Sequence, residues 1–243
     1  MFRFCCALLI LGCVSATGWA GEIPDEDFKK QADFRKAYNN KEANEQVKAL
    51  DLLAGSKHPS TWDILITVVN VNPSKAVRLA AFKLLCPMPA RNIKLAQTLV
   101  ALFEAVKPSD IEARIAYAKE MANSEFKYPV YEALVEYGSK LRYPDLVTGF
   151  RQGGGTGDPN QVLRRQRKEF EDYVDAFNEV TGAKLKAHDK ASPREFTTWW
   201  NENKNRFLTA DKEKLAKYEA EAVAERAKLE NPLLPKNTAK KAQ

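Results

Sequence analysis

Histidine, cysteine and glycine are scarce in this chain: two histidines, four cysteines and 11 glycines serve 243 residues. Cys5, Cys6 and Cys13 sit at the very start, which leaves Cys86 alone in the body and excludes an internal disulfide there. His58 and His188 are far apart, and His188 has only Asp189 beside it. A metal site wants three or four ligands, so neither histidine marks one. No Gly-x-Ser-x-Gly elbow occurs. The one glycine-dense stretch, Gly153-Gly154-Gly155-Thr156-Gly157-Asp158-Pro159, lacks the Gly-Lys-Ser/Thr of a phosphate loop. Its aspartate would repel phosphate, so it reads as a linker. Strand signals, meaning β-branched alternation between turn residues, are missing between Asp25 and Lys140. Charge of a single sign is missing too. The net charge of +6 comes from 38 Lys+Arg interspersed with 32 Asp+Glu. That mixture reads as solvated helix faces and points away from nucleic acid as a partner. No catalytic residue, metal or cofactor is expected.

The N-terminus sets the expected compartment. Met1-Phe2-Arg3 is a short basic start, and Phe4 to Val14 is apolar but too short to span a bilayer. Gly18-Trp19-Ala20 fits a small-x-small cleavage site. Residues 1–20 are therefore expected to be a signal peptide, with a secreted or periplasmic chain starting at Gly21. Leu11-Gly12-Cys13 offers the alternative of a lipid anchor at Cys13. No later segment is apolar enough for a transmembrane helix.

From residue 21 to 149 the pattern is helical. Pro59, Pro73, Pro89, Pro108 and Pro129 each sit at or before an apolar run of 3.6 period, often beside a capping residue. The runs also echo one another. Leu65, Leu99 and Leu134 are separated by 34 and 35 residues, and Arg78 and Arg114 by 36. Two helices per period near 35 is the pattern of a helical solenoid. Small residues Ala80, Ala81, Ala116 and Ala118 would let neighbouring helices approach. Cys86 falls in a stripe with Leu79, Phe82 and Leu85, which predicts a buried small hydrophobe.

Aromatics concentrate near the other end. Phe170, Tyr173, Val174 and Phe177 share one face of a helix that Thr181-Gly182 would stop, with Gly182 free to take the left-handed conformation. Ser192-Pro193-Arg194-Glu195 then reads as a capping box. It opens a helix on which Phe196, Trp199, Trp200, Asn203 and Phe207 recur at i, i+3, i+4, i+7 and i+11. The two are expected to close as a hairpin over the last open face of the stack.

The Val77-Arg78-Leu79-Ala80-Ala81-Phe82 series resembles the second helix of a HEAT repeat. The Thr181-Gly182 turn followed by Phe196, Trp199, Trp200, Asn203, Lys204 and Phe207 resembles the C-terminal module of exported bacterial HEAT-repeat proteins of the planctomycete type. That family more often has Trp where Phe196 stands. The resemblance implies an α-solenoid and a non-catalytic binding role.

The expected architecture is all-α: a right-handed α-solenoid of HEAT-like helix pairs (21–149), a Gly-rich linker (150–160), a C-terminal aromatic helical hairpin (161–210), and a charged helix with a basic tail (211–243). Asp211 to Glu230 has too few apolar residues for a strong stripe, so a solvent-exposed helix with pairs such as Glu213–Lys217 is expected. Phe196, Trp199, Trp200, Phe207 and Gly182 are the expected structural anchors. Arg78 and Arg114 are the candidates for contact with a protein partner, against the alternative of pairing with a carboxylate inside each repeat. The expected function is an exported protein–protein interaction scaffold. Two alternatives stand beside it: a hydrolase or lyase of envelope polymers using distant carboxylates, and a weak binder of polyanions or the envelope surface.

Overall fold

Helices carry the chain from Asp25 to Glu230 in a computed structural model that describes residues 23–39, 41–56, 58–144, 160–187 and 192–230. The leader 1–20, residues 150–159 of the expected linker, His188 and the tail beyond Glu230 lie outside the described residues. In order the helices are α1 (Asp25–Tyr38), α2 (Ala43–Leu50), α3 (Pro59–Val71), α4 (Lys75–Leu85), α5 (Lys94–Ala105), α6 (Ile111–Met121), α7 (Tyr128–Lys140), α8 (Gln161–Thr181) and α9 (Ser192–Glu230). A 3₁₀ turn, Asp51–Leu53, follows α2. No strand occurs among the described residues. The fold class is all-α.

Local chemistry explains where these helices start and stop. Pro59 opens α3, where its missing N–H would be unsatisfied anyway. Asn72 Oδ1 accepts the Ser74 N–H ahead of α4 at 2.8 Å. Pro89 is a less direct marker than its spacing predicts. The helix begins only at Lys94, whose N–H is taken by Asn92 Oδ1 at 2.9 Å. Proline biases its predecessor away from helical geometry, and Pro87 and Pro89 delay the start together. Gly182 ends α8 with φ of 72°, and its N–H bonds the Asn178 carbonyl at 2.9 Å. Only glycine takes that conformation without strain.

The helices pack with their neighbours and with the helix after next. α3 lies on α4, α2 on α4, α4 on α6 and α6 on α8; on the other side α5 lies on α7 and α7 on α9. A single contiguous core runs from Phe34 to Trp200. Leu50, Leu65, Phe82, Leu99, Leu134, Tyr173 and Phe196 are fully enclosed in it. Ala81 and Ala118 are buried, whereas Ala80 and Ala116 are half-buried. Cys86 is buried, and burial pushes its thiol well above the ordinary range, so it packs as a small hydrophobe.

The aromatic end is assembled from three helices. The Phe196 ring sits among Phe170, Tyr173 and Phe177 of α8, with ring centroids 6.4, 5.9 and 4.8 Å away. It also lies against Gly138 of α7, where an added Cβ would come within 2.6 Å of the ring. Trp200 packs on Tyr128 at 5.2 Å and Phe207 on Tyr131 at 4.8 Å, both from α7. Trp199 meets Phe177 edge-on at 5.1 Å and is half-buried. α9 makes its most extensive contact with α7, so the pairing of α8 with α9 alone does not describe how the aromatics are housed. α9 also continues unbroken through 210 and 211, where a domain boundary was expected.

Candidate functional site

The turns between paired helices place the two candidate arginines. Arg78, on α4, is half-buried, and its Nη1 donates to the carbonyls of Asn72 and Pro73 at 2.7 and 3.1 Å. Arg114, at the matching place on α6, donates from Nη2 to the carbonyls of Val106 and Glu104 at 2.5 and 3.1 Å. Each guanidinium thus satisfies carbonyls at or just past the C-terminal end of the preceding helix, where the helix dipole favours a cation. Arg114 is only 6 % exposed. Its guanidinium stacks over Tyr137 at 4.5 Å and Phe103 at 5.2 Å. This corrects the expectation that Arg114 reaches a partner protein: the side chain is buried. The pairing expected within each repeat exists, but with backbone carbonyls in place of a carboxylate.

Beside Arg78 a groove of about 830 Å³ opens between the end of α3, the start of α4, the α5–α6 turn with α6, and α8. Val69, Leu79, Leu102, Ala113 and Ala116 line it with apolar surface. Lys75, Lys107, Asp110, Glu112, Arg165 and Glu169 supply charge around them. Lys75 bonds Asp110 across two turns and holds that carboxyl below the ordinary aspartate range. Arg165 pairs with Glu169 at 2.9 Å, as the helical spacing predicts. A catalytic carboxylic acid needs the opposite shift from that of Asp110. The groove thus combines an apolar floor with a charged rim.

His58 is half-buried at the start of α3. Its Nδ1 accepts the Ser60 N–H at 3.2 Å and lies 2.7 Å from Ser60 Oγ. The His58 side chain thereby caps the start of α3. Gln31 of α1 donates to the same Ser60 Oγ at 2.7 Å, tying α1 to α3. Among the described residues, no group of three or more His, Cys, Asp or Glu is placed to hold a metal ion. No helix among them is long and apolar enough to cross a membrane.

A second constellation escaped the sequence reading. The distal part of α9 lies along the turns α6–α7 and α4–α5. Asp211 is only 3 % exposed. Its carboxylate accepts the N–H of Lys127 at 3.2 Å and of Tyr128 at 2.8 Å. A residue more than 80 positions away thus caps the N-terminus of α7, whose own first residues provide no side-chain cap. One turn on, Lys214 Nζ donates to the Glu125 carbonyl at 2.6 Å, and Tyr218 Oη donates to Glu125 Oε1. Glu125 Oε2 also accepts the Ala90 N–H at 2.8 Å. The bond to Glu125, with burial second, pushes the Tyr218 phenol up to about 12. Burial and the nearby Lys214 pull Lys127 down, with Asp211 partly offsetting them. Further along, Arg91 pairs with Glu225 at 3.0 Å.

Asp211→Ala is expected to lower folding stability by about 1–2 kcal/mol, the usual cost of losing a helix cap. Urea unfolding of the variant and the parent would measure it. An unchanged midpoint would mean that water replaces the carboxylate at no cost.

No protein-family model matches the chain, and no curated protein and no solved structure matches it.

Proposed function

We propose that this chain is an exported, non-enzymatic protein–protein interaction scaffold. On this reading, residues 21–149 form a right-handed α-solenoid of HEAT-like helix pairs, and residues 1–20 direct the chain out of the cytoplasm and are removed. Packing of α2, α4, α6 and α8 in one series, and of α5, α7 and α9 in another, supports the stacked-pair reading. The resemblance to exported bacterial HEAT-repeat proteins agrees with it.

The groove beside Arg78 carries the proposal. Its floor presents small and aliphatic side chains, and its rim presents both signs of charge. A protein segment buries apolar side chains on such a floor and reads the rim by charge. Ala76 and Ala105 line the groove and are exposed, so both tolerate larger residues without disturbing the core. The test is crosslinking in the native cells followed by recovery of the tagged chain, with and without Ala76→Arg and Ala105→Arg together. The expected result is a defined partner recovered by the parent, and recovery reduced about tenfold or more by the double variant at equal thermal stability. Equal recovery by both would overturn the groove as the binding surface.

A further inference from the structure

We infer that α9 is a helix of two parts, a fixed aromatic anchor and a releasable strap. The anchor ends near Asp211; the strap is the stretch that follows, held across two inter-helix turns by a polar lock centred on Glu125.

The two parts are attached by different physics. Phe196 and Trp200 are buried, and Trp199 and Phe207 pack on the same core. That contact is apolar and indifferent to salt. From 212 to 227 no described side chain is buried. Lys214, Leu215, Tyr218 and Ala222 are half-buried, the contact stripe of the strap, and of these only Leu215 and Tyr218 touch the core. Beside those two partial apolar contacts, the strap is held by polar ones: Lys214 and Tyr218 on Glu125, and Glu225 on Arg91. Such contacts at a surface are individually weak and are screened by salt.

Glu125 is suited to act as the hub. It belongs to the α6–α7 turn, its Oε2 takes the Ala90 N–H of the α4–α5 turn, and its Oε1 and carbonyl take the two groups from the strap. With the strap seated, one residue joins two successive turns to α9. With the strap lifted, the Glu125–Ala90 bond stays and the joint to α9 is lost. Most helical stability in a folded protein comes from tertiary packing, so a lifted strap frays toward its free end. Asp211, deeply buried and bonded to the start of α7, marks the pivot. The inference rests on these contacts and is independent of the partner-binding groove.

Hydrogen exchange on the full mature chain tests it. Lys214→Met with Tyr218→Phe removes both donors and alters only the strap. Loss of both bonds is expected to speed exchange of backbone amides at 213–227 by about tenfold. Amides at 196–207 and in α6 and α7 keep their parent rates. Raising salt from about 0.05 to 1 M on the unmodified chain is expected to act in the same direction on the same amides. Unchanged exchange at 213–227 in both experiments would overturn the inference, as would equal acceleration at 196–207, which would make α9 a single unit.

Discussion

Phe196→Ala is expected to destabilise the folded chain by about 3–5 kcal/mol, the range for deleting a buried aromatic ring. Phe196 has no exposed surface, and among the described aromatic rings of α9 it alone reaches Phe170, Tyr173 and Phe177 together. Removing it leaves a cavity walled by rigid rings on α8 and by backbone at Gly138 on α7, which have little freedom to collapse. The same contact offers an internal check. Gly138→Ala places a methyl within 2.6–2.8 Å of the Phe196 ring, so by itself it is expected to cost about 1–3 kcal/mol by overpacking. In the Phe196→Ala background that cost should nearly vanish, because the ring it meets is gone. Denaturant unfolding of the four chains gives the coupling. Additive effects would show that the ring and Gly138 do not meet in solution.

Arg114→Met is the second large effect, expected at about 3 kcal/mol. Methionine keeps the length and apolar bulk of the side chain but removes every donor. The carbonyls of Glu104 and Val106 then lose their guanidinium partner in a site where Arg114 is 6 % exposed. Tyr137 and Phe103 lose the cation stacked on them. Arg78→Met removes the matching bonds on α4, but that side chain is half-buried beside an open groove, and of its two acceptors Pro73 is exposed to water while Asn72 is buried. Its cost should stay below about 1 kcal/mol. Paired urea titrations decide the matter through the shift in midpoint at constant slope. Equal effects of the two substitutions would contradict the difference in burial.

The contrast between these arginines shows what a repeat pattern conveys. Their spacing correctly marks equivalent places on α4 and α6, and both do satisfy carbonyls of the preceding turn. Spacing does not tell how deeply each lies. Arg114 is covered because α5 and α7 bring Phe103 and Tyr137 over it; the rings that cover Arg114 come from sequence positions 11 before it and 23 after it. The groove shows the same limit. Lys75, Asp110 and Glu169 belong to three different helices or turns, and nothing in their local sequence joins them.

The strap was least legible. The stretch from Asp211 onward looks solvent-exposed by composition, and most of its side chains are. Beyond the buried Asp211 at its pivot, its attachment uses one lysine and one phenol on Glu125 and one glutamate on Arg91. A polar residue that binds a distant turn has the same sequence signature as one that faces water. The expected Glu213–Lys217 pairing illustrates this, since Lys217 lies 3.9 Å from Glu221 in the fold.

By itself the sequence determined the all-helical class, the left-handed stop at Gly182, the inward turn of Phe196 and Trp200, and the burial of Cys86. Each follows from residues within a few positions of one another, where periodicity, capping and backbone freedom act. Only the tertiary structure decided that Arg114 lies inside, that Asp211 caps α7, and that α9 runs on to brace two turns. Those outcomes depend on which polar groups meet after the helices pack, and a desolvated N–H or carbonyl accepts whichever partner the packing delivers.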